Sequence, residues 1–359
     1  MTSLAETGMP RVTALREAQE RSRRLLILLL GGGVAVAAIA ELMIGPARIS
    51  IPEALAALIP WGGPDSQATE IVQAIRVPRM ILGLFVGATL GVCGAALQGL
   101  FRNPLADPGI IGVSSGGVLG AALMIVLGKA LAPGFLTMTG PYALPVAAFI
   151  GSTAAIAAVY GLSRLTGVST GSSLILAGIA INAIVGGILG YLSFVAFDDQ
   201  LRELIFWQLG SLGRITWDNL PPAIALMGCS SVLMLRLAPA LNTYLLGERE
   251  AVHLGVNVQA MKRNVIVLAA LGVGSAVAVS GLIGFVGLAA PHIIRLFIGA
   301  DHRAVLPGSA LLGALLIVAA DLIARTAAAP AELPIGVLTS LLGGPFFIWL
   351  LMRHRRELF

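Results

Sequence analysis

The residues able to do chemistry are few, and their spacing excludes most reactions. Four histidines, His253, His292, His302 and His354, are scattered, and all fall at or near the ends of apolar runs. Cys93 and Cys229 lie far apart in apolar stretches, as buried small side chains do, and offer neither a disulfide framework nor a metal-ligand spacing. The chain has no HExxH, no paired carboxylates within an apolar run, no Gly-x-Ser-x-Gly and no GxxxxGK[ST] phosphate loop. The segment GLIGFVGLAAPH is glycine-rich, but it lacks a lysine and sits inside an apolar run. No catalytic set, resident cofactor or metal site is expected, so the chain reads as a non-enzyme. Energy from ATP would have to arrive through a partner. Glu41 and Asp321 fall near the ends of apolar runs and form no central relay of carboxylates, which argues against ion coupling. Asp321 precedes Arg325 by one helical turn and is expected to pair with it.

The elements that must position these residues are membrane spans. Hydrophobic residues make up 57% of the 359 and charged ones only 11%, whereas a soluble domain carries about 25% charged residues. The 44 glycines and the low aromatic content, 6%, suit close helix packing in lipid. The net charge of +5 comes without basic patches interleaved with aromatics, so nucleic acid is not the expected partner and the charge is read topologically. Apolar segments near 25–45, 79–100, 109–128, 143–163, 172–195, 219–238, 263–280, 282–298, 307–324 and 335–352 each approach the roughly 20 residues that cross a hydrocarbon core. The expectation is an all-α polytopic protein of about ten transmembrane helices. Residues 1–24 form a polar, basic tail with room for a short surface helix, 25–353 a single membrane domain, and 354–359 a second tail. The run at 25–45 is taken as a retained span, since it lacks a small-residue cleavage site. Lysine and arginine are biased so that both termini are expected inside. Spans 2–5 and 7–10 then have opposite polarity, as two inverted halves would. Gly94 and Pro104 weakly echo Gly281 and Pro291 at the same separation.

The densest pattern runs from Arg76 to Gly120, RVPRMILGLFVGATLGVCGAALQGLFRNPLADPGIIGVSSGGVLG. A span-length apolar helix is followed by a proline-broken polar loop and a second glycine-rich run. Such a loop must be shielded by protein or lie at the water boundary. With Arg76-x-Pro78-Arg79, Gly87, Gly94, Gln98 and Asn103-Pro104-Leu105-Ala106-Asp107-Pro108-Gly109, this stretch closely resembles the membrane-permease family of ABC importers for iron-siderophores, haem and vitamin B12. Further motifs extend the likeness from about residue 25 to 353.

The resemblance implies partners and sites. Arg76, Arg79 and Arg325 match arginines that pair with glutamates on a periplasmic binding protein, a task suited to a bidentate guanidinium fork; on their own they read equally as arginines snorkelling to headgroups. The link ALNTYLLGEREAVHLGVNVQAMKRN, about 240–258, reads as an amphipathic surface turn flanked by Gly247 and Gly255. Through Leu246, Gly247, Glu248, Ala251, Leu254 and Gly255 it resembles the coupling helices that dock into an ATPase subunit, and docking is the favoured reading. Ser169-Thr170-Gly171-Ser172-Ser173 are good N-caps for span 5; by resemblance, Gly171 and Ser172 match an inner gate. Trp207 and Trp217 fit an interfacial aromatic belt. The run DDQLRELIFWQLGSLG resembles haem-importing permeases most. Arg202 is thereby expected to attract haem propionates, with Tyr191, Phe194 and Phe197 contacting the flat ring.

The reading is a permease subunit of the bacterial inner membrane, working as a homodimer with two ATPase subunits below and one binding protein above. ATP is bound by the partner and haem is the transported substrate. A ferric siderophore or vitamin B12 is the alternative within the family, and a stand-alone secondary transporter the alternative outside it.

Overall fold

The computed structural model describes residues 9–47, 49–58, 67–165, 171–329 and 331–354. Among the described residues all regular structure is helical, as expected. Helix α1 (Met9–Met43) is followed by the short α2 (Ile51–Ala57) and α3 (Gln67–Glu70), then a π-helical turn at Ile71–Arg76 that runs into α4 (Val77–Phe101). Next come α5 (Val113–Leu131), α6 (Pro133–Thr139), α7 (Ala143–Leu165), α8 (Gly171–Val195) and α9 (Asp198–Gln208). The second half contains α10 (Leu220–Leu235), α11 (Ala238–Leu245), α12 (Glu248–His253), α13 (Val258–Ser280), α14 (Val286–Ile298), α15 (His302–Ala327) and α16 (Ile335–His354).

Among the described residues, seven stretches are long and apolar enough to cross a membrane, those carrying α1, α4, α5, α7, α8, α13 and α15. Helices α10 and α11 make an eighth, bent by 47°, and α14 and α16 contribute shorter apolar segments. The expected runs are therefore all helical, but not all are full-length spans. Near the amino terminus the expected division at residue 25 is absent. Helix α1 is continuous for 35 residues, about 50 Å at the α-helical rise and longer than the hydrocarbon core. Its polar first part continues the span as one rod, and Glu20 and Arg24 meet across one turn at 3.8 Å.

Helix α4 is the centre of the bundle and packs against α10, α13, α14 and α15. Glycine makes this possible. A Cβ at Gly87 would lie 2.3 Å from the Gly313 carbonyl oxygen, one at Gly91 2.0 Å from that of Ser309, and one at Gly94 1.9 Å from that of Gly287. The backbones of α4, α14 and α15 thus touch directly, and dispersion over that contact replaces the hydrophobic effect that lipid does not supply. Because Gly94 sits mid-helix whereas Gly281 ends α13, and Pro291 lies inside α14 whereas Pro104 lies in a loop, the weak internal echo in the sequence is not a structural equivalence.

The polar loop after α4 is built from two turns of one kind. Asn103 Oδ1 accepts the Leu105 N–H at 2.9 Å and Asp107 Oδ1 accepts the Gly109 N–H at 2.7 Å. In both, proline follows the turn-forming side chain and presets the backbone. Between α13 and α14 the chain unwinds over 281–285, so α14 starts at Val286 rather than at 282. Gly281 (φ 69) stops α13, and Phe285 (φ 67) restarts the helix from the left-handed region. Neighbouring backbone packs beside this break, with Ser211 N–H on Ser280 O at 2.8 Å and Ile335 N–H on Gly210 O at 3.1 Å, and protein packed against irregular backbone is what lets it survive at membrane depth.

Two expectations about single residues fail. Trp207 is 5% exposed and belongs to the core rather than to an interfacial belt, while Trp217 is exposed and donates its indole N–H to the Gln73 carbonyl. Cys93 is buried, but Cys229 faces outward from α10.

Candidate functional site

Three regions carry the residues singled out in the sequence. At the end of the bundle that bears α2 and α9, the three arginines are buried, with 2% of Arg76, 4% of Arg79 and 2% of Arg325 exposed. Arg79 grips Asp321 with both arms of its fork, Nε to Oδ2 at 2.8 Å and Nη2 to Oδ1 at 3.0 Å, and Nη1 reaches Glu332 at 2.9 Å. Asp321 therefore pairs across helices with Arg79, not along α15 with Arg325. Arg325 instead donates to the Glu41 carbonyl. Arg76 donates to the carbonyls of Leu42 (2.6 Å), Met43 (3.1 Å) and Ala47 (2.7 Å), closing the carboxy-terminal end of α1, whose last carbonyls have no partner within the helix. None of the three stands free at the surface in this conformation, for headgroups or for a partner.

Helix α8 is the opposite case. Only 17% of its most apolar window is buried, against 72% for the stretch containing α4. A Cβ at Gly186, Gly187 or Gly190 would meet nothing within 4 Å. Beside these glycines Tyr191 and Phe194 project outward, and at the helix end so does Phe197, with 66%, 85% and 77% of each exposed. Phe197 turns the chain into α9, where Gln200 accepts its N–H at 3.1 Å and anchors to the Ile125 and Val126 carbonyls at 3.2 Å each. Arg202 is exposed on α9, its guanidinium 5.9 Å from the Phe206 ring. The four residues thus share one end of the molecule around the α8–α9 corner. The result is a smooth, unpartnered surface ringed by aromatics, with one cation near its rim.

The sequence reading missed what holds α8. Asn182, in the middle of its apolar run, donates to the Gly109 carbonyl at 3.1 Å and accepts from the Ser115 hydroxyl. One polar side chain thereby ties α8 to the turn that follows the double-proline loop, and an amide in a long apolar run was the available signal. Gly171 and Ser172 open α8, while Ser169 and Thr170 lie outside the described residues.

The third region is the end bearing α12. Gly247 (φ 142) and Gly255 (φ 84) bracket α12 in backbone conformations that favour glycine. Ala251 is fully buried, and the exposed Glu248 is tied to the buried Lys262, whose ammonium donates to both its carboxylate oxygens at 2.8 and 2.9 Å. The outward apolar residues are Leu246 and Leu254, together with Val252, which the motif reading passed over; 68%, 64% and 58% of each is exposed. Ala251 fastens the turn from within, the Glu248–Lys262 pair ties its start to α13, and the exposed leucines and valine form its free surface. On the same face, Asp301 between α14 and α15 accepts from Arg23 of α1 at 2.8 Å and from Asn242 of α11 at 2.7 Å.

Comparison with known proteins follows these features. Residues 33–353 match the FecCD transport family. The chain is 50% identical over 283 residues to the hemin transport system permease protein HmuU of Yersinia pestis, spanning 79% of this chain and 83% of that one. It is 35% identical over 341 residues to the vitamin B12 import system permease protein BtuC of Vibrio cholerae, spanning 95% and 97%. Among solved structures it superposes on an ABC transporter of metal-chelate type in an inward-facing conformation, with a TM-score of 0.80 and 31% identity over 92% of this chain and 99% of that one. By its sequence along most of its length and by the bundle built around α4, the chain belongs to the FecCD transport family.

Proposed function

We propose that this chain is the membrane-spanning permease subunit of an ATP-driven importer that carries haem, delivered by a periplasmic binding protein, across the bacterial inner membrane. The observation that carries the reading is the free face of α8, in which Gly186, Gly187 and Gly190 leave open space beside Tyr191 and Phe194. A flat macrocycle stacks on aromatic side chains and slides along a surface without side chains. Arg202 offers a fixed positive charge to the propionates that such a macrocycle carries. The 50% identity to a hemin permease favours haem over the corrinoids of the more distant relatives.

Two copies related by a two-fold axis would enclose the pathway between their α8 helices. Gly171 and Ser172 would lie at its inner end as the gate. The α12 face, which also carries the amino-terminal part of α1, would be cytoplasmic and receive two ATPase subunits, with Leu246, Val252 and Leu254 as the contact surface. ATP is then bound and hydrolysed by the partner, and this chain converts the partner's movement into alternating access by rigid-body motion. Each state binds the substrate through different contacts, which is what allows release. The binding protein would sit on the α9 face. With Arg76, Arg79 and Arg325 enclosed in this conformation, we assign them first to holding α1, α4 and α15 together; pairing with the binding protein's glutamates would require Glu332 and the α1 carbonyls to let go.

The test is uptake by proteoliposomes holding this chain with its ATPase and binding protein. Hemin is expected to be imported in an ATP-dependent manner and to be outcompeted by neither cyanocobalamin nor a ferric hydroxamate. Import of cyanocobalamin or the hydroxamate in place of hemin would overturn the substrate, and hemin import without ATPase subunits would overturn the importer class.

A further inference from the structure

Tyr244, at the end of α11, is only 5% exposed, and two cations meet its ring. The Arg102 guanidinium carbon lies 4.3 Å from the ring centroid and the Lys262 ammonium nitrogen 5.6 Å from it. Both distances fall within cation–π range. Each cation is itself fixed to another element. Arg102 ends α4 in the left-handed region (φ 48), uncommon for a side-chain-bearing residue, and its Nη2 donates to the Tyr244 carbonyl at 2.6 Å. Lys262, in the second turn of α13, bonds both carboxylate oxygens of Glu248, the first residue of α12. One ring therefore links the end of the central helix α4, the start of α13 and the α12 turn.

We propose that Tyr244 is the joint that carries displacement of α12 into α4 and α13, a positioning residue acting through Arg102 and Lys262. The inference rests on the reading of α12 as the ATPase contact. The chemistry suits a joint. Attraction between a cation and a ring face persists as the ring tilts or slides, whereas a bidentate ion pair is lost with a small rotation. The phenolic oxygen takes no part in either cation contact, so phenylalanine keeps the joint and leucine abolishes it.

The experiment uses the full transporter with its ATPase subunits, in a Cys229→Ser background. A spin label at Ile75→Cys, an exposed position just before α4 at the far end of the bundle, reports the distance between the two copies with and without ATP. The unmodified joint should give an ATP-dependent shift in that distance. Tyr244→Phe should retain it, and Tyr244→Leu should lose it while the ATPase still co-purifies and still binds ATP. A role in packing alone would lower thermal stability in Tyr244→Leu yet leave the shift intact in the folded fraction, and that result overturns the proposal. If Tyr244→Leu does not fold, Arg102→Gln serves in its place and should also lose the shift; a full shift there overturns the joint. Failure of the ATPase to co-purify with the unmodified chain is a separate outcome, which removes the α12 reading and the joint with it.

Discussion

Arg79 and Asp321 are taken out of water together, and Asp321 takes two hydrogen bonds from Arg79, which keeps a further contact with Glu332. Removing one partner of such a buried pair strands the other, at a cost of roughly 3–5 kcal/mol, whereas replacing both with apolar groups can be close to neutral. Asp321→Leu or Arg79→Met alone should therefore lower the thermal midpoint in detergent sharply, and the double variant should recover much of the loss. Additive losses would show that the pair contributes no coupling. Asp301 provides a second test, outside the spans. Burial pushes its carboxyl up, but the Asn242 amide, the Arg303 N–H and the Arg23 guanidinium outweigh this and hold it below the ordinary range. A carboxylate depressed on folding stabilises the fold above its unfolded value, about 3.9, and loses that contribution as pH falls through its folded value. The tie from α1 to α11 should hold at neutral pH and open only in strong acid. Spin labels at Arg21→Cys and Thr243→Cys would show the distance broadening on acidification, and Asp301→Asn should be broad already at neutral pH; an unchanged distance in both cases would exclude the tie. These pairings were only partly legible. Local spacing presented Arg325 as the neighbour of Asp321, because one helical turn is visible in a sequence. Arg79, which wins the carboxylate, lies 242 residues away and is brought near only by the packing of α4 on α15.

Among the elements, α4 and α8 are equally apolar and glycine-bearing, yet they do opposite things with glycine. At Gly87, Gly91 and Gly94 of α4 a methyl group would enter the backbone of α14 or α15, which cannot give way as a flexible side chain can; at Gly186, Gly187 and Gly190 of α8 it would enter open space. Gly91→Val should accordingly abolish folded protein in fluorescence-detected size exclusion, and Gly187→Val should leave the yield of folded chain near that of the parent. Equal losses would mean that α8 is packed within its own chain. Asn182→Ala removes the bonds to the Gly109 carbonyl and the Ser115 hydroxyl, each of which keeps a second partner at Gly112, so the loss is that of the tie between elements, about 0.5–1.5 kcal/mol per bond. Hydrogen exchange should quicken over 109–115 and 176–188 in that variant, and unchanged protection would deny Asn182 its anchoring part. The helices themselves were readable, since a run of about 20 apolar residues admits few other structures in lipid. Which face each helix buries was not, because lipid and protein interior are equally apolar, and so α4 and α8 look alike in sequence. The unwinding at 281–285 escaped for a related reason. It is flanked by long-range backbone bonds, Ser211 N–H on Ser280 O and Ile335 N–H on Gly210 O, and an apolar run after Gly281 reads as helix until those distant segments are in place.

For the whole molecule, the uneven burial of its spans implies a surface completed by something other than lipid. Helix α1 is also mostly exposed, but its open positions carry Leu25, Leu28, Leu29, Val36 and Ile39, the bulky residues that lipid accommodates. Helix α8 also exposes Leu176, Ile179 and Ile184, but it adds the cluster Gly186, Gly187 and Gly190 beside Tyr191 and Phe194, and exposed small residues in a span favour close approach of another helix or passage of a ligand. A second copy placed α8 to α8 would satisfy both. In a Cys229→Ser background, Gly190→Cys should form a disulfide between two copies under mild oxidation in native membranes, since a bridge needs Cα atoms about 4.4–6.8 Å apart. Val36→Cys on α1, also exposed, should stay monomeric under the same treatment. A Gly190→Cys chain that never cross-links, in membranes where the importer is active, would place the two-fold axis elsewhere and with it the pathway. Cross-linking that is fast without nucleotide and slow when the ATPase is trapped with ATP would add that the distance between the α8 helices is what the partner changes, the displacement alternating access requires.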